Sequence, residues 1–503
     1  MEITNFIVIY TKSAYHQGKG YHTMMHNLIP LPTSVIASTG DFTISNATEI
    51  SIEPYGQLEA LGTYLARQIQ DATGLKNRTN SASVNQKAGS FRLALGSDEG
   101  LGEEGYELSI SMDGIKLSAN CPAGLFYGIQ TFRQLLPTHR AGSVSLPAVS
   151  IRDTPRFRWR GAMLDVARHF FGVEDVKRYI DLISHYKMNT LHLHLTDDQG
   201  WRIEIKSWPQ LTEIGGSTQV GGGGGGYYTQ EQYKEIVDHA RSRYMMIIPE
   251  IDTPGHTNAA LASYAELNSS EEAPASYEGT QVGFSTLWIN SEITYQFLDN
   301  VIGELAAITP TPYIHIGGDE ARSTPEEDYK KFIKRIQEIV ISHGKTTIGW
   351  GEIGEAEILP GTIAQHWVGA SYQEAKRQGA KIILSPANKT YLDMKYDNAS
   401  ALGLDWAGLV SVEDSYDWEP GSYMNELEES DILGLEAPLW SETLLTIKDI
   451  EYMAFPRIIG LAELAWSPKG QSWDDFKHRL ARHGKRMEAM DINFFRSSDV
   501  AWE

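Results

Sequence analysis

From Phe157 onward, short apolar runs alternate with amphipathic helical patterns, and that alternation constrains the fold more than any other feature of the chain. Parallel strands need long crossovers, usually helices, and are buried on both faces, so they read as near-continuous apolar stretches. Eight such stretches occur, at residues 161–166, 190–195, 245–251, 313–316, 346–350, 362–367, 381–384 and 434–439. Helical spacing follows most of them. Val173, Val176, Ile180, Ile183 and Tyr186 mark the first helix, Tyr233, Ile236, Val237 and Ala240 the second, and Phe332, Ile336 and Val340 the fourth. After the fifth strand only residues 355–359 remain, too few for an ordinary helix. The pattern predicts an α/β fold, a (β/α)8 TIM barrel with one degraded helix. An open doubly wound sheet would place a glycine-rich phosphate loop after an early strand; the glycine run at 221–226 follows no strand and reads as a flexible loop.

Upstream, Leu58, Leu61, Leu65 and Ile69 lie at helical spacing, while 91–95 and 106–112 alternate like strands. Asp113-Gly114 is a tight-turn signal leading into 115–119, and 124–136 reads as a helix. These elements predict a small α+β domain over 30–150, before a barrel domain over 151–503 that ends in a surface helix at 475–490. Residues 1–29 form an unassigned extension. Its one apolar segment, Phe6 to Tyr10, reads as no signal peptide, so the chain as it stands reads as cytoplasmic while secretion stays open. No apolar run approaches the roughly 20 residues of a membrane span, so no membrane partner is expected. With 65 acidic against 43 basic residues the net charge is −22, which disfavours nucleic acid as a partner. Cys121 is the sole cysteine, which excludes an intramolecular disulfide and a cysteine-based metal cluster and reads as a small core residue.

In a barrel the chemistry collects just beyond the C-terminal ends of the strands. Those positions hold Asp165 and Arg168 after the first strand, and His192, His194, Asp197 and Asp198 on or after the second. The third contributes Glu250, Asp252 and His256, and the fourth His315, Asp319 and Glu320. Later strand ends carry aromatics beside polar groups: Trp350 and Glu352, His366 and Trp367, Tyr391 and Asp393, Trp440 and Glu442. Aromatic walls with interleaved carboxylates suit a sugar ring, whose C–H faces stack on indoles while its hydroxyls need directional partners.

The tract His315-Ile316-Gly317-Gly318-Asp319-Glu320, with Leu193-His194-Leu195-Thr196-Asp197-Asp198-Gln199-Gly200-Trp201 and Pro249-Glu250-Ile251-Asp252-Thr253-Pro254-Gly255-His256, closely resembles the β-N-acetylhexosaminidases of glycoside hydrolase family 20, the bacterial exo-acting type above all. The resemblance implies that Glu320 is the general acid and base, and that Asp319 orients the substrate's 2-acetamido group so that its carbonyl oxygen attacks C1. It further implies that Tyr391 donates to that carbonyl and that Trp350, Trp367 and Trp440 enclose the acetamido methyl and the ring. Arg168 and Glu442 are implied to hold outer hydroxyls, Asp393 the 6-hydroxyl end, and Asp197 with His256 to support the acid. It implies no metal and no cofactor, and a glycan with terminal β-linked GlcNAc or GalNAc as the partner.

Two other readings compete. His192 and His194 put two imidazoles on one face of a strand, as in metal-dependent barrel hydrolases, with Asp197, Asp198, His256 and His315 close in sequence pattern. Strands five and eight, however, supply no matching histidine or aspartate. A carbohydrate-binding protein without turnover would retain the pocket, but the acid, the orienting carboxylate and the tyrosine are all present. His315 reads as structural, and no role is evident for His366.

Overall fold

A computed structural model of the chain describes residues 27–81 and 89–503. The apolar segment Phe6 to Tyr10 and most of the extension 1–29 lie outside them. The chain divides into two compact units: residues up to Arg156 with Trp466–Ile492 and Ser498–Glu503, and Phe157–Ala465 with Asn493–Ser497.

The first unit is a seven-stranded sheet with helices packed on it. Its strands are β1 (Ser34–Ile44), β2 (Ile50–Glu53), β3 (Thr79–Ser81), β4 (Ser90–Leu95), β5 (Tyr106–Ser111), β6 (Gly114–Ala119) and β7 (Val144–Asp153), in the order β1-β7-β5-β6-β4-β2-β3. Helix α1 (Tyr55–Thr73) buries Leu58, Leu61, Leu65 and Ile69, the expected stripe. Helix α2 (Pro122–Leu135) approaches so closely that a Cβ on Gly124 would stand 2.3 Å from the carbonyl oxygen of Gly105. Cys121, expected in the core, is half-buried and precedes α2 as its N-cap.

The β5–β6 hairpin is present, but Ser111 pairs with Gly114, so the two loop residues are Met112 and Asp113. Gly114 instead allows a close strand approach: at φ +151° a Cβ there would meet the Ser90 carbonyl oxygen at 2.6 Å. The terminal helix α10 (Trp473–Ala489) groups with this first unit and not with the barrel to which its sequence position assigned it. Arg486 explains the docking, since its guanidinium donates to the carbonyls of Arg133, Gln134 and Leu136 at the C-terminal end of α2 (3.1, 2.9 and 3.0 Å).

The second unit is a closed barrel of eight parallel strands: β8 (Trp159–Asp165), β9 (Thr190–His194), β10 (Met246–Glu250), β11 (Tyr313–His315), β12 (Thr346–Trp350), β13 (Ile363–His366), β14 (Lys381–Leu384) and β15 (Ile432–Leu439). All eight fall where the apolar runs placed them. Helices α3 (Val173–Ser184), α4 (Gln230–Arg241), α5 (Glu292–Ile308) and α6 (Glu326–Ser342) follow the first four strands. Helix degradation then extends over three units and not one. A single 3-10 turn (Gly351–Glu355) follows β12, the seven-residue α7 (Ser371–Arg377) follows β13, and β14 leads into a long connection with only short helical turns.

A buried arginine supports that connection. Arg457, on the barrel's last helix α9 (Arg457–Trp466), donates to the carbonyls of Leu392, Met394, Val410 and Met453, and its guanidinium lies 3.6 Å from the Tyr396 ring centroid. Backbone groups that a helix would have paired internally are thus paired by a side chain. The preceding α8 (Ile447–Ala454) completes the ring. One end of the barrel interior is an apolar layer of Trp159, Ile248, Ile348, Ile363 and Ile383, and above it the interior turns polar.

The α2 contact generates a stability test. Gly124→Ala is expected to lower the unfolding free energy of the first unit by about 1–3 kcal/mol, because a backbone oxygen cannot rotate away. Gly56→Ala, at an exposed position in the first turn of α1 with nothing within 4 Å of the added carbon, should be neutral or stabilising by up to about 1 kcal/mol. Urea unfolding of both variants distinguishes a packing constraint from a general intolerance of alanine.

Candidate active site

Above the apolar layer, Glu250 at the end of β10 collects the interior polar groups. It accepts from His194 Nδ1 (2.5 Å) and Trp350 Nε1 (2.8 Å), with His192 Nε2 and His315 Nδ1 both 3.0 Å away. His192 also meets Glu436 through Nδ1 (2.8 Å), and Glu436 accepts from Trp159 and Gln365 (both 2.9 Å). Burial opposes charge on His192 and His194, yet the carboxylates on both sides raise them to about 9 and about 10. His315 has the opposite fate: burial keeps it below the ordinary imidazole value, and it accepts the Gly317 N–H at 3.1 Å, a structural role as its sequence suggested. The eighth strand does contribute to the His192 cluster, through Glu436, which the metal-site argument had not counted.

The network continues outward. His194 Nε2 bonds Asp197 (2.7 Å), Asp197 also receives Arg168 (2.8 Å), and its other oxygen meets His256 Nδ1 (3.2 Å). Despite burial, Arg168 and His256 hold Asp197 well below the usual carboxylate range. His256 in turn is raised well above 6.5, with burial opposed by Asp197 and Asp252. Its Nε2 stands 3.6 Å from Asp319 and 3.7 Å from Glu320, so one imidazole faces both carboxylates.

The backbone around this pair is constrained. Gly317 adopts φ +72°, and a Cβ there would lie 1.7 Å from Asp252 Oδ1. His256 and Glu320 are themselves left-handed, at φ 54° and 45°, a conformation costly for side-chain-bearing residues and held by surrounding contacts. Gly255 supplies one such contact, because a Cβ on it would come within 3.3 Å of the Ala321 Cα.

Trp350, Tyr391 and Trp440 form one buried cluster with Trp367 packed against it. Trp367 stacks on Tyr391 (6.3 Å, 12°), and Arg168 lies 4.8 Å from the Trp440 ring centroid. Beside this wall are buried polar atoms with no hydrogen-bond partner among the described residues: Asp319 Oδ1, both Asp393 oxygens, Glu442 Oε2, Arg168 Nε and His256 Nε2. Leaving such groups unmatched is expensive, so their convergence marks a place for a polyhydroxylated ligand. Burial raises Asp319 to about 6, with Glu250 and Glu320 pushing the same way against His256. Asp393 and Glu442 are also raised, chiefly by burial. The structure therefore brings together Glu320, Asp319, Tyr391, Asp197, His256, Arg168, Trp350, Trp367, Asp393, Trp440 and Glu442, the residues to which the resemblance assigned roles.

Residues 157–469 match the glycosyl hydrolase family 20 catalytic domain, and residues 25–154 match domain 2 of the same family. The chain belongs to glycosyl hydrolase family 20. Among its relatives, a β-N-acetylhexosaminidase of Cellulomonas fimi is 38% identical over 490 residues, 95% of this chain and 98% of that one. The Streptomyces plicatus N-acetyl-β-hexosaminidase, solved in complex with Thio-NAglucal, superposes with a TM-score of 0.92 at 49% identity, covering 95% of this chain and 98% of that chain. The N,N'-diacetylchitobiase of Vibrio harveyi is 30% identical over 482 residues, covering 72% of this chain and 54% of its own length.

Three residues beside the site were given no role from the sequence. Trp406 packs edge-on against Trp367 (5.9 Å) and Tyr391 (5.8 Å) and remains 51% exposed. It sits in the long connection after β14, in a stretch with no helical or strand periodicity to flag it. Asp252 was noted only as a strand-end carboxylate, yet its Oδ1 accepts the Gly318 N–H (3.3 Å) and burial raises it well above its ordinary value. His366 packs against Tyr372 (4.8 Å), and burial drops it to about 4, which makes it a neutral packing residue.

The histidine layer fixes the pH dependence of stability. Imidazoles raised from 6.5 to about 9 and 10 contribute stability that is complete below pH 6.5 and lost as pH climbs through their folded values. The melting temperature is expected to fall between pH 7 and about 10, and in Glu250→Gln to start lower and fall less steeply. Thermal unfolding of both proteins across that range checks it; equal slopes would show that His192 and His194 are not charged through Glu250.

Proposed function

We propose that the chain is a retaining exo-β-N-acetylhexosaminidase that removes terminal β-linked GlcNAc, and GalNAc, from non-reducing ends. The observation that carries this reading is the adjacency of Asp319 and Glu320 at one strand end, with an unpartnered Asp319 oxygen facing a buried aromatic pocket. Retaining glycosidases that use their own nucleophile hold two carboxyl groups about 5 Å apart across the sugar, whereas family 20 is among the substrate-assisted exceptions. Consecutive residues on one strand end suit the second arrangement.

In this mechanism Asp319 accepts the N–H of the 2-acetamido group and Tyr391 donates to its carbonyl oxygen. That oxygen attacks C1 as Glu320 protonates the departing glycosidic oxygen, giving an oxazolinium ion. Glu320, now a carboxylate, removes a proton from the water that opens the ring at C1, so the β configuration is retained. Trp350, Trp367 and Trp440 exclude water and hold the acetamido methyl and ring. Glu442 and the free Arg168 Nε serve outer hydroxyls, and Asp393 the 6-hydroxyl. His256, protonated between Asp197 and the catalytic pair, limits the negative charge that builds up there.

Release of p-nitrophenol from β-GlcNAc and β-GalNAc glycosides, with the unsubstituted β-glucoside as control and EDTA present, tests the reading. Turnover of the first two alone is expected, and appreciable glucosidase activity would refute acetamido participation. Asp319→Asn should lower kcat/KM by ~100-fold or more. In the wild type kcat/KM should decline as pH falls through about 6, because a protonated Asp319 is a weaker acceptor for the N–H and no longer balances the positive charge that develops on the acetamido group. Glu320→Gln should lose far more activity on chitobiose than on activated aryl glycosides, whose leaving groups need little protonation.

A further inference from the structure

One buried titratable group beside the site has no part in that mechanism. Glu352 lies on the 3-10 turn Gly351–Glu355 that stands in place of the fifth helix, two residues beyond Trp350. Both of its carboxyl oxygens receive the indole N–H of Trp367, at 3.1 and 3.0 Å. Trp367 is half-buried, stacks on Tyr391, and packs against the aromatic cluster. The turn that carries Glu352 has little freedom of its own. Gly354 abuts α7, where a Cβ would stand 2.7 Å from the Ala375 nitrogen, and Gly349 and Gly318 both pack on Ile353 of the same turn.

We propose that Glu352 is a positioning residue for the 2-acetamido pocket, anchoring the Trp367 indole so that the pocket fits an acetyl group, and that its ionisation beside Asp319 sets the alkaline limit of ligand binding. The proposal rests on the family 20 reading of the site and assigns the pocket's acyl selectivity to a residue that need not touch the sugar. Without the carboxyl, the indole keeps its ring contacts with Tyr391 and Trp406 but loses the hydrogen bond that fixes its N–H edge, and can tilt to admit a longer acyl chain.

Burial, then the Asp319 charge, raises Glu352 to about 8, with Trp367 opposing and Glu355 adding to the rise. The groups facing it are Asp319 from the end of β11, Tyr329 from α6, Tyr391 from beyond β14, and Glu355 on its own turn. The two tyrosines stay neutral, since burial pushes both well above 10. Glu352 therefore takes up its charge at a higher pH than Asp319 does. Above pH 8 a second carboxylate forms against Asp319. Like charges in one dry pocket relax by separating or by recapturing a proton, and either change disturbs Trp367 or Asp319.

The test uses the full chain as wild type, Glu352→Ala and Glu352→Gln. Hydrolysis of p-nitrophenyl 2-acetamido and 2-propanamido β-glucosides reads acyl selectivity. Binding of N-acetylglucosamine from pH 5 to 9.5, followed by tryptophan fluorescence, reads the pocket without the leaving group or the acid. Glu352→Ala is expected to lower the acetyl-over-propionyl ratio of kcat/KM by ~10-fold, the scale of one methylene in a fitted pocket. Glu352→Gln, which keeps an oxygen for the indole N–H, should restore most of that ratio. N-acetylglucosamine binding should weaken above pH 8 in the wild type and not in Glu352→Gln. An unchanged ratio in Glu352→Ala, or the same alkaline weakening in Glu352→Gln, overturns the proposal. If Glu352→Ala does not fold, the Glu352→Gln binding profile decides alone. Failure of the wild type to hydrolyse the acetamido glycoside would instead overturn the functional reading itself.

Discussion

The constraint on which the barrel depends is charge balance in a dry interior. Glu250 is fully buried, and ionic groups of that kind persist only when partners replace the water they have lost. Its partners come from two other strands, His192 and His194 from β9 and Trp350 from β12, with the neutral His315 of β11 packed against it. Glu436 repeats the device from β15, so carboxylates from opposite parts of the ring both bind His192. Residues far apart in the chain are thereby fixed to each other within about a hydrogen bond's tolerance. The network ends at His256, 3.6 and 3.7 Å from the two reactive carboxylates, so the geometry that stabilises the interior also orients the chemistry.

Backbone strain is the second element of the design, and it depends on the first. His256 and Glu320 both hold left-handed backbones, each costing on the order of 1–3 kcal/mol, and neither is glycine. The Asp197 carboxylate retains His256. Gly317 lets the strand end pass within contact of Asp252, and Tyr329 donates to the Gly318 carbonyl at 2.6 Å, so Glu320 is aimed by a turn that cannot relax alone. Arg322 closes it, bonding the Glu320 carboxylate at 2.6 Å from the solvent side. A flexible loop with the same two acids would lose the alignment that makes adjacent carboxylates useful.

Much of this was legible in the sequence, for uneven reasons. The eight barrel strands stood out because buried parallel strands are continuous apolar runs, and the site residues because they follow those runs. In the first unit β1, β2, β3 and β7 were missed: β1 exposes most of its residues, Ile36 among them, β2 and β3 are only four and three residues long, and β7 carries Pro147. The loss of helices beyond β12 was underestimated, since the support for the 387–431 connection comes from Arg457, distant in sequence and invisible to periodicity. The pairing of His192 with Glu436, 244 positions apart, is likewise a product of closure alone. Trp406 carried no signal because it lies in an irregular connection, where its apolar neighbours Leu404, Ala407 and Leu409 build no helix or strand.

The same degradation that blurred the sequence pattern gives the site its shape. A regular helix after β12 would start by carrying the chain away from the mouth of the barrel. A 3-10 turn instead keeps Trp350 and Glu352 together at the rim, and the long connection after β14 brings Tyr391, Asp393 and Trp406 over the opening. A substrate-assisted reaction needs such a pocket more than it needs a nucleophile. The attacking oxygen belongs to the sugar, so the protein must freeze one acetamide rotamer against Asp319 and shield a cation from water. Rigid aromatic walls do both at low entropic cost. The barrel gives up helical regularity on one side, and what replaces it is the enclosure that the chemistry requires.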